Sequence, residues 1–205
     1  MLQFNITNKY KVEHMKIIKN LLILSLTSFF IGCGTSPVAQ PKNIDKLKVY
    51  TPESNQVILE AINKVRAVQR DCKDGEGLVG PSNPLVWNEA LYASAYEHSQ
   101  DLAYTNTFSH VGSGTKYDKT GKTLNRESYF DERIAYNGYL DYSSVGENIA
   151  AGQDDIKEVL TAWLESPAHC ANLMSPVFAE VGVAIVINKE SKYGIYWTQN
   201  LGDRY

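Results

Sequence analysis

Apolar residues recur at the three- and four-residue spacing of an amphipathic helix in three segments of this chain. We predict that the first helix begins near Ser54 and the second after Asn88, because both residues can cap a helix. The third is predicted from about Asp155 to Leu164, and a short fourth helix after Ser166, where a proline suits the first helical turn. The residues predicted to face inward are Val57, Ile58, Ala61, Ile62 and Val65, then Leu91, Ala95, His98 and Leu102, then Ile156, Val159, Leu160 and Trp163.

The pattern changes toward the C-terminus, where two runs are rich in β-branched and aromatic residues. The runs "EVGVAIVIN" and "YGIYWTQNLG" flank the polar "KESK", which is typical of an antiparallel hairpin. Between the second and third helices lies a long polar stretch that we predict to be mostly loop, with a helical turn or two at "SYFDERIAYNG". Such a long connection is usually functional or disordered. Together these elements predict helices packed on an antiparallel sheet.

The first 32 residues have the pattern of a signal peptide. Two lysines precede an apolar run that is too short to span a bilayer, which takes roughly 20 apolar residues. The run ends in a glycine followed by Cys33, a pair that resembles a bacterial lipobox, so we predict that Cys33 is lipidated. An ordinary signal peptide cleaved nearby is the alternative, and Met15 is an alternative start. We therefore predict a flexible tether over 33–53 and one domain over 54–205.

The net charge of the chain bears on which classes of molecule it can bind. Removal of the first 32 residues leaves 16 basic and 22 acidic side chains, a net charge of about −6. No basic stripe remains, so we do not expect nucleic acid as a partner. Contact with a membrane is expected only through the lipid anchor.

Two cysteines remain beside Cys33, and they are an even pair in the oxidising compartment that a signal peptide implies. Cys72 and Cys170 can form a disulfide, or Cys170 can act as a thiolate beside His169. Adjacent residues on a helix point about 100° apart and do not face each other. This favours the disulfide between Cys72 and Cys170.

Three polar residues are candidates for chemistry. His110 lies at a helix-to-loop junction, where side chains can line a cleft, and Glu147 lies among small residues in "VGENIAAG". His169 falls in the first turn of the fourth helix, where the helix dipole disfavours imidazolium and leaves a neutral, metal-competent ring. Two imidazoles and a carboxylate form a catalytic zinc set, with water as the fourth ligand. Their spacing matches no local metal motif, so a network of hydrogen bonds between loops is an equal alternative.

Five segments of the chain, in this order, resemble the CAP superfamily of cysteine-rich secretory, antigen-5 and pathogenesis-related proteins, which has many bacterial SCP-domain members. The segments are "FSH", "VGENIAAG", "AWLESPAHCANLM", "EVGVAIV" and "YWTQNLG". The resemblance spans roughly Ser54 to the C-terminus. It implies an α+β fold, a three-layer α-β-α sandwich with a central antiparallel sheet. The pairing of Cys72 with Cys170 also fits the bacterial members.

The resemblance further implies a central cleft in which two histidines and acidic residues converge, sometimes around zinc or another divalent ion. His110, Glu147 and His169 fall on the matching positions, which makes zinc the expected metal. The family's second glutamate falls on Ser166 here, and the nearest acid, Glu165, is rotated from that position by about 100° on a helix. The remaining candidates for lining the cleft are therefore Glu165, Ser166 and Asn172.

The sequence leaves three functions open. The one we favour is an envelope-anchored or secreted binding module whose cleft takes a lipid, a peptide or a cell-wall fragment, with or without a divalent metal. The second is a metal-dependent hydrolase in which His110, Glu147 and His169 hold a metal that activates water. The third is a structural or adhesive envelope protein. The expected location is the bacterial cell envelope, in the periplasm or on the cell surface, with secretion as the alternative.

Overall fold

The computed structural model describes residues 52–205. The predicted signal peptide, the alternative start at Met15 and the lipidation of Cys33 lie outside the described residues. The helices are α1 (Pro52–Arg66), α2 (Glu89–Thr105), α3 (Lys119–Leu124), α4 (Phe130–Tyr136), α5 (Ile156–Glu165) and α6 (Pro167–Met174). The strands are β1 (Arg70–Asp71), β2 (Leu78–Val79), β3 (Val86–Trp87), β4 (Tyr142–Ala151), β5 (Glu180–Ile187) and β6 (Ile195–Arg204). Within that part of the chain, no helix combines the length and the apolar character that a membrane span requires.

The sheet that positions the site has four strands in the order β3-β5-β6-β4. β5 and β6 form the predicted antiparallel hairpin, with Ile187 opposite Ile195. β4 runs antiparallel along the other side of β6, with Glu147 opposite Asn200, whereas the short β3 is parallel to β5. β4 is therefore an edge strand, which residues from both helical layers can approach. β1 and β2 form a separate two-stranded sheet.

Helices cover both faces of the four-stranded sheet and form the predicted three-layer sandwich. α1, α5 and α6 pack on one face, where Trp163 lies in the main hydrophobic core. α2 packs on the other face, where Leu102 is fully buried. α2 comes very close to β5 because Gly182 has no side chain. A Cβ at this position would collide with the backbone of Leu91 and Tyr92.

Most of the predicted helix starts are confirmed. Asn88 caps α2, and its Oδ1 accepts hydrogen bonds from the backbone N–H groups of Ala90 and Leu91. α5 begins directly after Asp155, and α6 begins at the proline that follows Ser166. The predicted inward face of α2 is buried at every position, namely Leu91, Ala95, His98 and Leu102.

α1 differs from its prediction at two residues. Ser54 lies inside the helix, which begins at Pro52, so Ser54 is not the N-cap. The apolar spacing predicts that Val57 faces inward, but Val57 is 58% exposed, whereas Ile58 and Ile62 are buried. Successive helical residues are separated by about 100°, so the buried stripe of α1 has room for only one of the adjacent pair at positions 57 and 58.

β4 and α3 lie in the stretch for which the sequence predicts mostly loop, and the prediction is wrong there. β4 lacks a clear apolar alternation because its buried residues include Glu147 and Asn148. The strand is held instead by pairing with β6 along nearly its whole length. In addition, the carbonyl of Ile149 accepts a hydrogen bond from Nε1 of Trp163 at 3.1 Å. Tertiary pairing therefore outweighs local propensity in β4.

Buried acidic residues of α2 organise the long connection between α2 and β4. Glu97 and Asp101 lie one helical turn apart and are both buried. Glu97 accepts hydrogen bonds from the backbone N–H of Thr120 at 2.7 Å and from Nδ2 of Asn137 at 2.8 Å. Asp101 accepts one from the backbone N–H of Ser113 at 2.8 Å. These contacts order the connection from the α2 side.

Asp118 organises the same connection from within. Its carboxylate accepts hydrogen bonds from the backbone N–H groups of Gly114 and Gly121, both at 2.8 Å. It also accepts hydrogen bonds from Ser128, through the backbone N–H at 3.2 Å and the hydroxyl at 2.7 Å. Burial acts to raise the pKa of Asp118, but these hydrogen bonds outweigh it and lower the pKa. The connection is therefore an ordered part of the domain.

Candidate functional site

The candidate site lies at the edge strand β4, where the two helical layers meet. Glu147 faces α2, and its Oε1 is 3.7 Å from Nε2 of His98. The next residue, Asn148, faces α6, and its Nδ2 donates to the backbone carbonyl of His169 at 3.1 Å. Successive strand residues point to opposite faces of a sheet, so two adjacent residues of β4 reach both layers.

Glu147 is the buried centre of the site, with 1% of its side chain exposed. Its carboxylate accepts hydrogen bonds from Nη2 of Arg133 at 3.0 Å and from Nδ1 of His110 at 2.9 Å. Asn200, oriented so that both ends of its amide are satisfied, donates to Oε2 at 3.3 Å. Burial alone would raise the pKa of Glu147, but the charges of His98 and Arg133 and the hydrogen bond from His110 lower it to about 2. Glu147 is therefore ionised at neutral pH.

His110 is held at two points, and the residue before it at a third. Its Nδ1–H donates to Glu147, and its backbone carbonyl accepts from Nη2 of Arg133 at 2.9 Å. The carbonyl of the preceding residue, Ser109, accepts from Nε2–H of His98 at 2.9 Å. An ionised carboxylate can only accept hydrogen bonds, so the proton of the neutral His110 ring is on Nδ1. The ring is 47% exposed, and its Nε2 keeps a free lone pair on the side away from Glu147.

His169 lies opposite His110. The two ring centroids are 6.3 Å apart, and the rings are tilted by 53°. Burial, and then the nearby His110, lower the pKa of His169, so its ring is neutral at neutral pH. The effect of the helix dipole on this ring stays a prediction. Directly behind His169, Cys170 forms the predicted disulfide with Cys72, and their Cα atoms are 5.4 Å apart.

The other predicted cleft residues occupy different places. Asn172 donates through Nδ2 to the backbone carbonyl of Glu147 at 3.2 Å and to Oδ1 of Asn148 at 3.1 Å, so it braces β4. Ser166 is half-buried at the N-cap position of α6. Glu165 is exposed and lines a shallow groove along α5, and the lining of that groove includes neither histidine of the site. The structure therefore places Asn172 at the site and Glu165 outside it.

The buried His98 predicts a loss of stability in mild acid. It lies among Glu147, Arg133 and His110, and burial lowers the pKa of His98 to about 4, although Glu147 acts to raise it. The unfolded chain has an ordinary histidine pKa of about 6.5, so it takes up the proton first as the pH falls. We expect the free energy of unfolding to be maintained above about pH 6.5 and to fall by on the order of 3 kcal/mol between pH 6.5 and 4.

Urea denaturation at a series of pH values, with wild type and His98→Gln compared, measures this loss. The glutamine amide keeps a donor for the carbonyl of Ser109 but does not titrate, so the variant should lose less stability across that window. Equal losses in both proteins would contradict the prediction. A second loss is expected in both proteins as the pH falls from about 4.5 toward 2, because the pKa of Glu147 is lower in the folded state.

The predicted zinc set does not fit the contacts of Glu147. Within residues 54–205, no group of three or more His, Cys, Asp or Glu side chains is arranged to hold a metal ion. Nη2 of Arg133 contacts both oxygens of Glu147, at 3.2 and 3.0 Å, and a guanidinium in this position repels a metal cation. The two imidazoles remain as candidate ligands. In that arrangement Glu147 would orient the ring of His110 from behind and would not bind the metal itself.

Comparison with known families decides the identity of the domain. The sequence model of the cysteine-rich secretory protein family, abbreviated CAP, matches residues 59–201. The chain belongs to the CAP family. The match extends from α1 into β6, so the whole site described above lies within the CAP domain. The resemblance that the five sequence segments indicate is confirmed.

Two bacterial proteins of known sequence are related to this CAP protein. It is 29% identical over 168 residues to YkwD, an uncharacterized protein of Bacillus subtilis, and the match covers 80% of this chain and 58% of YkwD. It is 27% identical over 168 residues to YlbC, an uncharacterized membrane protein of the same species, with 81% and 40% covered. The chain thus spans about half the length of these relatives.

Solved structures confirm the α+β sandwich of this CAP domain. An extracellular protein from Bacillus anthracis that contains an SCP domain is 25% identical with a TM-score of 0.51, and the match covers 77% of this chain and 45% of that chain. An outer surface protein from Borrelia burgdorferi is 20% identical with a TM-score of 0.54, with 77% and 98% covered. The second likeness shows the fold alone.

Two members of the CAP site, Arg133 and Asn200, are not among the residues that the sequence predicts. Arg133 lies in α4, and its side chain is fully buried next to the buried Ile134. Asn200 follows Gln199 in β6, and both are fully buried within the buried run from Ile195 to Gly202. Two signals in the sequence could have indicated a buried polar cluster. One is an arginine beside an inward-facing isoleucine, and the other is a pair of amides in the β-rich run of the last strand.

Proposed function

We propose that this protein is an extracellular or envelope-bound CAP-domain binding module whose cleft takes a small ligand between His110 and His169. One observation carries this proposal. The ring of His110 is anchored through Nδ1 by buried Glu147, while its Nε2 is free on a half-exposed ring that lies opposite a second imidazole. The two imidazoles offer hydrogen-bonding atoms to a neutral or weakly polar ligand. A lipid, a peptide and a cell-wall fragment all have groups of this kind.

The proposed location has two supports. A disulfide between Cys72 and Cys170 is typical of an oxidising compartment outside the cytoplasm. The similar structures come from a protein described as extracellular and from one described as an outer surface protein. In this proposal Cys33 carries the lipid, and the segment from Cys33 to the start of α1 tethers the domain to the envelope. The cleft then faces the space in which cell-wall fragments and lipids are found.

The test is a titration of the purified protein followed through the ring signals of its histidines. The probes are a soluble muramyl peptide, a dipeptide, a medium-chain fatty acid and, separately, zinc chloride with calcium chloride as a control. His110→Ala/His169→Ala removes both rings of the cleft. Glu165→Ala changes an exposed acid outside the site and serves as the matched control.

We expect at least one organic probe to bind saturably, to shift the signals of both rings and to lose its binding in the double variant but not in Glu165→Ala. Saturable zinc binding that is lost in the same double variant would assign a divalent metal to the two histidines. Failure of every probe to bind, or binding that persists in the double variant, would contradict the proposal. The structural or adhesive role would then be favoured.

A hydrolase is the second candidate, and the contact between His110 and Glu147 favours it. An imidazole whose Nδ1–H is held by a buried carboxylate is arranged for general-base catalysis through Nε2. In this version Glu147 orients and stabilises the ring, in place of the ligand role that the sequence predicts. Turnover of an ester probe that is lost in His110→Ala, with the fold intact, would support this activity. Equal turnover in wild type and variant would exclude His110 as its base.

A further inference from the structure

Arg133 connects more parts of the site than any histidine does. Its side chain is fully buried and extends from α4 toward the edge strand. Nη1 donates to the backbone carbonyl and the hydroxyl of Ser128, at 3.2 and 3.1 Å. Nη2 donates to the carbonyl of His110 at 2.9 Å and to the carboxylate of Glu147 at 3.0 Å. One guanidinium therefore contacts the connection, the backbone of His110 and the residue that holds the ring of His110.

The planar fork of arginine is essential to this arrangement. The two nitrogens have separate tasks, since Nη1 is anchored on Ser128 while Nη2 is shared between His110 and Glu147. A lysine ammonium is a point charge that can replace the positive charge but cannot reproduce the fork. Charge and geometry can therefore be separated by substitution at this one position.

Arg133 is itself held in place by hydrogen bonds from the side opposite Glu147. The hydroxyl of Ser128 accepts from Nη1 of Arg133 and donates to Oδ1 of Asp118 at 2.7 Å. Asp118 in turn accepts hydrogen bonds from the backbone N–H groups of Gly114 and Gly121. A continuous chain of hydrogen bonds thus leads from the ordered connection through Ser128 and Arg133 to the site.

A buried ion pair adds little to the free energy of unfolding, because replacement of both partners by apolar side chains is often neutral or stabilising. The contacts of Arg133 point instead to a role in the geometry of the cleft. We propose that Arg133 is the positioning residue of the site: it orients Glu147 and the backbone of His110 together, so that the His110 ring keeps its proton on Nδ1 and presents the Nε2 lone pair to the ligand. This role rests on the proposed function, because the orientation of Nε2 matters only if a ligand uses it.

The test reads the tautomer of His110 directly and needs no ligand. The ¹⁵N shifts of the two ring nitrogens are measured at neutral to mildly alkaline pH in the full chain, in wild type, Arg133→Lys and Arg133→Met. Arg126→Lys is the matched control, because Arg126 belongs to the same connection but is exposed and pairs with Glu132. Circular dichroism shows which variants are folded.

In wild type we expect a protonated Nδ1 and an unprotonated Nε2 in the His110 ring. In Arg133→Lys the two ¹⁵N shifts should move toward each other, as in a ring that exchanges between tautomers, while Arg126→Lys keeps the wild-type values. Arg133→Met should show the same change in the ¹⁵N shifts if this variant folds. If Arg133→Met does not fold, the shifts of Arg133→Lys are sufficient to test the proposal. Wild-type shifts in a folded Arg133→Lys would overturn the proposal, since a structural role alone changes the melting temperature but not the tautomer.

The two proposals fail separately in this design. In one outcome, the two ¹⁵N shifts converge in Arg133→Lys while every probe that binds wild type still binds the variant equally well. Arg133 would then control the tautomer of His110, but the tautomer would not matter for ligand binding. Unchanged shifts together with lost binding in His110→Ala/His169→Ala would retain the binding module and reject Arg133 as its positioning residue.

Discussion

Replacement of both Cys72 and Cys170 by alanine should lower the free energy of unfolding by about 4–5 kcal/mol, the value that the chain-entropy model gives for a loop of this length. The disulfide closes a loop between residues 98 positions apart, so its loss frees a large part of the chain in the unfolded state. Both side chains are buried against Met174, and the alanines also leave a small cavity. Urea denaturation of wild type and double variant, both monitored by tryptophan fluorescence, measures the difference.

Two controls separate the cross-link from packing. Met174→Leu changes the neighbouring side chain at nearly constant volume and keeps the disulfide, so it should cost far less. Wild type under reducing conditions should show most of the loss seen in the double variant. Equal urea midpoints for oxidised wild type and the double variant would refute the prediction. Because Cys170 follows His169, loss of the disulfide should also broaden the ring signals of His169.

Arg133→Met should lower the free energy of unfolding by about 3–5 kcal/mol, because the ionised carboxylate of Glu147 stays buried after its cationic partner has been removed. Asn200 and His110 remain as donors, but neither carries a permanent charge. The methionine fills most of the volume, so the cost arises from the unpaired carboxylate. Thermal and urea denaturation at neutral pH measure the change.

A double-mutant cycle tests the electrostatic origin of this cost. Arg133→Met/Glu147→Met removes both charges, and its stability should lie much closer to wild type than that of Arg133→Met. Arg126→Met, which breaks the exposed pair with Glu132, should leave the urea midpoint nearly unchanged. Additive effects of the Arg133 and Glu147 substitutions would show that the pair is not coupled.

The part of the fold that could be predicted is the part built on apolar contacts. α2 was predictable because its buried positions repeat at helical spacing and Asn88 caps its start. The β5–β6 hairpin was predictable because two β-rich runs flank a polar turn. β4 was not, because a strand that buries Glu147 and Asn148 depends on partners far away in the chain, and no local pattern encodes them.

The candidate site was predictable in its residue types but not in its geometry. The resemblance indicated His110, Glu147 and His169, and the structure brings these three together. The carboxylate of Glu147 is paired with Arg133, which is 14 positions away in sequence and reaches it from α4. Whether a carboxylate holds a metal or a guanidinium is decided by such a neighbour, and the motif around Glu147 contains no information about it.

The buried acidic residues that order the connection between α2 and β4 also determine which of its positions can change in sequence. Glu97, Asp101 and Asp118 bind backbone N–H groups, which every residue except proline provides. Their side-chain partners, Asn137 and Ser128 among them, and the close-packed Gly121 are the positions of the connection that cannot change freely. Exposed positions such as Tyr129 and Tyr136 can therefore accept substitutions while the path of the chain past the site is retained. Related domains could diversify this surface, and protein engineers could randomise it, without rebuilding the histidine pair.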